Sequence, residues 1–204
     1  MNKDIYDGYV LHRRPYRETS LIVDFFTLQN GRVSAVAKGA RAPKSDKKSL
    51  LQPLQAINFE LSGRSSLRNL GRIESTSKSF VLSQQSLFCV FYLNEILNRA
   101  LPESEVFTRL FHQYELALTS LQYLSKEKCS LIDIEPILRN FEFVLLEELG
   151  YLPDFAYDSQ SESEIMADKS YSLMNEIGFV ACDPTQSFAI RGCDILAIAN
   201  DDWQ

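Results

Sequence analysis

Only two histidines and four cysteines occur in the 204 residues, and neither kind is arranged for chemistry. His12 and His112 have no Cys or Ser partner at a recognisable spacing. Asp133, Glu135, Glu147 and Glu148 fall where helix ends are expected, so they read as capping and solvating acids. The chain has no Walker loop and no G-x-G-x-x-G. Neither catalysis nor a cofactor is expected. Cys89, Cys129, Cys182 and Cys193 form no C-x-x-C pair, whereas closed zinc sites usually show paired ligands at short spacing. No metal is expected, and the thiols read as buried small hydrophobes. A disulfide framework does not suit a chain of this size without a secretion signal. No apolar run approaches the roughly 18 residues of a membrane span, and the opening seven residues have no apolar signal region. Cytoplasmic residence, away from membranes, is the expectation.

The net charge of −6 conceals a division. Residues 1–80 carry 14 Lys+Arg and 7 Asp+Glu, a net of +7. Residues 81–204 carry 7 Lys+Arg and 20 Asp+Glu, a net of −13. Such asymmetry points to two parts with different partners.

The first part is strand-like. Residues 9–12 and 19–28 are rich in β-branched and aromatic side chains. Asn30-Gly31 is a strong hairpin signal. Residues 32–38 alternate, 54–61 and 67–73 give two further strands, and 62–66 form a turn between them. Five short strands joined by tight turns predict a small barrel of the OB-fold type.

From about Phe80 the apolar period becomes helical. Cys89, Leu93, Ile96, Leu97 and Ala100 form one stripe. Pro102 interrupts it, and Glu103 and Glu105 suit the first turn of a second helix. Val106, Phe107, Leu110, Phe111, Tyr114, Ala117, Leu118 and Leu121 form its stripe. A third helix takes Asp133 as cap and Pro136 in its first turn, faces Phe141 and Leu145 inward, and stops at Gly150. Three amphipathic helices need one another for burial, which predicts a bundle. Residues 154–169 read as a polar, mobile excursion. A hairpin around Asn175-Glu176 and a last helix ending near Ala199 complete the chain. The expected architecture is α+β and multidomain: a five-stranded OB-fold nucleic-acid-binding barrel at 1–79, then a helical domain at 80–204 with an irregular excursion at about 152–184.

Cations of the first part cluster at Arg13, Arg14 and Arg17, at Lys38, Arg41, Lys44, Lys47 and Lys48, and at Arg64, Arg68 and Arg72. The middle group lies in a loop whose small neighbours leave long side chains free to reach phosphates. A positive groove with stacking platforms binds single strands without regard to sequence. Phosphate neutralisation supplies the affinity and makes it salt-dependent. The residues assigned to nucleic acid are Arg14, Tyr16, Arg17, Arg32, Lys38, Arg41, Lys44, Lys47, Lys48 and Arg68, with Tyr16 the stacking candidate. Phe25 and Phe26 lie mid-strand in an apolar run and are assigned to the core. The alternative is a non-catalytic adaptor whose basic face docks an acidic partner.

Three blocks carry a family resemblance. They are Tyr9-Val-Leu-His-Arg-Arg-Pro-Tyr-Arg-Glu-Thr-Ser-Leu-Ile-Val-Asp-Phe-Phe-Thr27, Asn30-Gly-Arg-Val-Ser-Ala-Val-Ala-Lys-Gly-Ala-Arg41 and Leu51-Gln-Pro53. In order and spacing they resemble the N-terminal domain of the bacterial DNA repair family RecO. Tyr92-Leu-Asn-Glu-Ile-Leu97 and Leu138-Arg-Asn-Phe-Glu-Phe-Val-Leu-Leu-Glu-Glu-Leu-Gly-Tyr151 resemble its helical domain. The resemblance implies an OB-fold, a helical domain and a recombination mediator that is not an enzyme. It implies binding of single- and double-stranded DNA, annealing of complementary strands, and work with RecR to load RecA onto DNA coated by single-strand binding protein (SSB), in the cytoplasm at the nucleoid. It also implies capture of the acidic, Phe-ending SSB tail, with Arg139 at the position of a basic residue near that site. The four-cysteine zinc site of some members is not matched, since 154–183 offers only Cys182. The family usually runs on into further basic helices, and nothing of that surface is carried over.

Overall fold

The computed structural model describes residues 4–63, 65–126 and 131–200, with Gln84 and Leu131 described by backbone alone. Arg64, Cys129 and residues 201–204, named above, lie outside the described residues. Two compact units divide the chain, Met1–Glu148 and Leu149–Gln204.

The first unit opens with β1 (Asp4–Tyr16), β2 (Ser20–Thr27), β3 (Gly31–Ala37), the single-turn α1 (Lys47–Leu50), β4 (Ile57–Ser62) and β5 (Leu67–Ser75). The strands close into a barrel in the order β1-β2-β3-β5-β4, with β3 and β5 parallel and the other pairs antiparallel. This is the expected OB-type barrel. The long β1 serves two partners: Asp4–Gly8 pairs with β4, and Gly8–Tyr16 with β2. A register irregularity between Val10 and His12 lets the strand bend between them.

Every residue of β2 is buried, because both faces of the strand are covered. Phe25 points into the barrel and stacks on Phe59 at 4.3 Å between ring centroids. Phe26 points the other way and meets Phe111 at 5.3 Å and Tyr114 at 6.1 Å. Both are core residues as expected, but of two different cores. Tyr9 joins the outer one, 5.3 Å from Tyr114.

That outer face is covered by α2 (Gln84–Ala100) and α3 (Thr108–Leu124), and α4 (Leu131–Glu148) packs against these two helices. Val90, Leu93 and Leu97, then Leu110, Phe111, Tyr114, Ala117, Leu118 and Leu121, then Ile134, Phe141 and Leu145 are buried along their stripes. Two boundaries differ from expectation. α3 starts at Thr108, because Glu103 and Ser104 are held by the barrel: Ser104 N–H donates to Arg32 O at 2.9 Å, and Ser104 takes φ +61. α4 starts at Leu131, so Asp133 lies in its first turn and Pro136 inside it.

The second unit contains β6 (Ser170–Met174), β7 (Gly178–Cys182), β8 (Ile190–Arg191) and α5 (Gly192–Ala199), with strand order β7-β6-β8. The hairpin turns at Asn175-Glu176 as expected. Residues 154–169 form a tied loop. Asp158, 3% exposed, accepts from the N–H groups of Gln160, Ser161 and Ala181 at 2.8–2.9 Å. Ile165 packs with Tyr171, Phe179 and Ile195 in this unit's own small core.

Candidate nucleic-acid interface

Between β3 and β4 the chain leaves the barrel and returns. Ala40 and Leu51 are fully buried in the barrel core and fix the two ends of the excursion. The segment between them is held by short-range bonds: Ala42 N–H to Gly39 O at 3.1 Å, Ser45 N–H to Ala42 O at 3.0 Å, and Ser49 N–H to Asp46 O at 3.2 Å. Arg13 clamps the return, donating to Leu51 O at 2.9 Å and to Gln52 Oε1 at 2.8 Å. Spacing alone cannot distinguish Arg13 from its neighbour Arg14; the carbonyl 38 residues away does so.

The β1–β2 turn lies beside this loop. Arg41 N–H donates to Thr19 O at 2.8 Å, and Arg41 Nη1 lies 3.4 Å from Arg17 O. Arg17 takes φ +51 and sets its guanidinium 5.1 Å from the Tyr16 ring centroid. The β1–β2 turn, with Tyr16 and Arg17, therefore adjoins the loop that carries Lys38, Arg41, Lys44, Lys47 and Lys48, while Arg14 lies on the side of β1 that faces α2. Arg14, Arg17, Lys38, Arg41, Lys44 and Lys48 are exposed, and Tyr16 and Lys47 are half-buried. None of these cations has an ion-pair partner among the described residues. A cationic loop without internal partners keeps its charge available to anions.

Arg32 and Arg68 stand apart. Arg32 Nε donates to Leu101 O at 2.8 Å, and its Nη1 lies 3.6 Å from Glu103. Arg68 donates to the Tyr6 hydroxyl, lies 5.6 Å from that ring's centroid, and sits 3.4 Å from Asp4. Arg72 pairs with Glu74.

Arg139 projects from α4, 42% exposed. It pairs with Glu142 and lies 3.6 Å from Glu135. Desolvation pulls its pKa down, but the Glu142 and then Glu135 carboxylates outweigh it and hold it above the ordinary arginine value. Tyr92 on α2 donates to the same Glu142. Burial, then the bond to Glu142, pushes its phenol up to about 12, with Arg139 pulling the other way. Phe88, one turn before Tyr92, is exposed. The site thus combines a guanidinium, its two carboxylates and exposed rings. Sequence spacing reveals the Arg139 pairs with Glu135 and Glu142, but not the link to α2.

Among the described residues no cluster of His, Cys, Asp and Glu could hold a metal ion, and no helix is long and apolar enough to cross a membrane.

An OB-type barrel whose basic loop has no ion-pair partner among the described residues, backed by helices, has the form of a barrel-based nucleic-acid-binding protein. The family model described as Recombination protein O N terminal matches residues 1–79, and Recombination protein O C terminal matches residues 84–189. The chain belongs to the RecO family of DNA repair proteins. It is 43% identical over 205 residues to the DNA repair protein RecO of Alteromonas mediterranea, covering 100% of this chain and 85% of that protein. Against RecO of Pseudoalteromonas atlantica the identity is 42% over 198 residues, covering 97% and 80%. Against RecO of Haemophilus influenzae (strain PittGG) it is 39% over 203 residues, covering 100% and 83%.

Proposed function

We propose that this chain is a non-enzymatic recombination mediator in DNA repair. It binds single- and double-stranded DNA through the loop at 38–48 and the adjoining β1–β2 turn, and it anneals complementary strands. With RecR it helps load RecA onto SSB-coated single strands, in the cytoplasm at the nucleoid. The observation that carries the reading is the set of cations on Arg14, Arg17, Lys38, Arg41, Lys44, Lys47 and Lys48 with no acidic partner among the described residues. Charges left unneutralised on an anchored loop suit a backbone ligand whose phosphates replace counterions. Family membership directs this surface to DNA. The barrel occupies 1–79 and carries the DNA; the helical part beyond it carries partner contacts, with Arg139 receiving the terminal carboxylate of the SSB tail beside the rings of α2.

Fluorescence anisotropy with labelled single-stranded DNA across a salt series tests the reading. Affinity falls steeply with salt, and K44A/K47A/K48A flattens the log–log slope by about 2–3, because each neutralised phosphate accounts for roughly 0.7–0.9 of it. An unchanged slope sinks the loop assignment. Arg139→Glu weakens binding of an SSB tail peptide; unaltered affinity removes Arg139 from that site. Degradation of strands in an annealing assay contradicts the non-enzymatic reading.

A further inference from the structure

Within the first unit a cleft of about 450 Å³ separates β1 from α2, a size in the range of small-ligand sites. His12 and Arg14 contribute one wall, and Phe91, Asn94, Asn98 and Arg99 the other. Two side-chain atoms of that second wall are buried with no hydrogen-bond partner among the described residues: Asn94 Nδ2, a donor, and Asn98 Oδ1, an acceptor. Asn94 is 3% exposed, and its Oδ1 is taken by the Tyr114 hydroxyl at 2.7 Å. Its spare capacity is therefore the Nδ2 donor. Unpaired buried polar atoms are costly and uncommon, and two of them lie one turn apart on this helix beside the cleft. Phe91, on the same wall, is 45% exposed. Arg99 is neutralised by Glu95 at 2.6 Å, whereas Arg14 has no ion-pair partner among the described residues.

We propose that this cleft takes one unpaired base of single-stranded DNA, stacked on Phe91 with the two asparagine amides on its edge, while Arg14 holds the neighbouring phosphate at the rim. Every base carries a hydrogen-bond donor beside an acceptor on its pairing edge, which complements the spare Asn94 donor and Asn98 acceptor. Asn98 is only half-buried, and a rotation of its side chain brings the amide to the entering base. Stacking on an aromatic ring tolerates any base. The cleft's own balance of Glu95 against Arg99 suits a neutral base better than a phosphate. The inference rests on the DNA-binding reading above and extends the strand's path from the basic loop, through Arg14, to α2.

The test compares the affinity of the full chain for an oligothymidylate and for an abasic strand of the same length, at fixed salt. The wild type prefers the strand with bases by about tenfold. Phe91→Ala and Asn98→Leu each cut that preference by about threefold or more and leave affinity for the abasic strand unchanged. K44A/K47A/K48A weakens both strands alike and keeps the ratio. A wild type without preference, or two cleft variants with the wild-type ratio, overturns the cleft. Wild-type affinity for the abasic strand in the triple-lysine variant overturns the loop reading instead, and the base preference still reports on the cleft. Phe91 is half-exposed, so its truncation leaves a folded protein; Asn98→Leu keeps the volume and provides the second reading.

Discussion

Arg32 Nε donates to the Leu101 carbonyl at 2.8 Å and ties β3 to the segment between α2 and α3. Glu103 lies 3.6 Å from the same guanidinium, and Ser104 N–H returns to Arg32 O at 2.9 Å. This arginine secures the helices to the barrel. Its side chain is only 19% exposed, so truncation leaves the Leu101 carbonyl unpaired. Arg32→Ala lowers unfolding stability by about 1–2 kcal/mol, measured in urea. Arg68→Ala also lowers it, because Tyr6 and Asp4 are left without their guanidinium. Neither change alters the salt slope of DNA binding. A flatter slope in either variant would return that residue to the DNA surface.

Gly31 sits at the same junction. Its φ is +56°, and a Cβ there would lie 1.7 Å from Glu105 O, a backbone atom that cannot swing aside. Gly31→Ala combines the left-handed penalty with a clash against the docked segment, and destabilises by about 3 kcal/mol or more. Lys44→Ala, in the exposed loop, stays within about 0.5 kcal/mol. Equal urea midpoints for the two variants would contradict this account of the junction.

These ties explain what the residue pattern can and cannot convey. Five strands, the Asn30-Gly31 turn and three amphipathic stripes are legible because local periodicity reports burial. The run from Leu21 to Phe26 shows a strand buried on both sides, but not that Phe25 and Phe26 serve separate cores; that depends on α3, some 85 residues on. The start of α3 is misleading in sequence because Glu103 and Glu105 suit a helix N-terminus by type, while the barrel holds that segment in a bridge to Arg32 and a turn at Ser104. In the candidate site the cationic loop is visible as composition. The separation of Arg13 and Arg32, which bond to distant carbonyls, from Arg14 and Lys44 is not, since spacing does not record long-range partners. The Asn94–Asn98 pair gives no signal, for asparagine on a helix ordinarily faces water.

Asp158 organises the second unit through three backbone N–H groups. The bond from Ser161 is the largest influence on its carboxyl and, with those from Ala181 and Gln160, outweighs desolvation, so its pKa falls below the usual carboxylate range. A carboxyl depressed in the folded state adds stability that is present above the unfolded value of about 4 and is lost as pH falls through the folded value. Asp158→Asn removes this pH dependence and leaves an amide NH₂ facing a backbone donor. The variant is less stable at pH 7 and loses less on acidification than the wild type. Hydrogen exchange of the amides of residues 160, 161 and 181 at neutral and acid pH measures both effects. Parallel pH profiles for wild type and variant would refute the role.

At the alkaline end the tyrosines act in the opposite sense. Burial, then Glu115, pushes the Tyr9 phenol well above its ordinary value, and burial followed by Tyr9 does the same to Tyr114. Tyr92 is pushed up to about 12. A phenol whose folded pKa is raised stabilises fully below its unfolded value of about 10, and that contribution is lost as pH rises from there toward the folded value. Tyr9 and Tyr114 join β1 to α3, so their ionisation opposes the packing of helices on the barrel. Stability therefore declines above about pH 10, and phenolate absorbance of these residues appears only with unfolding. Tyr9→Phe removes one proton linkage and its bond to Glu115 at 3.1 Å. That variant is weaker at neutral pH and falls off less steeply in alkali. An identical alkaline slope in wild type and Tyr9→Phe would show that Tyr9 does not govern the transition.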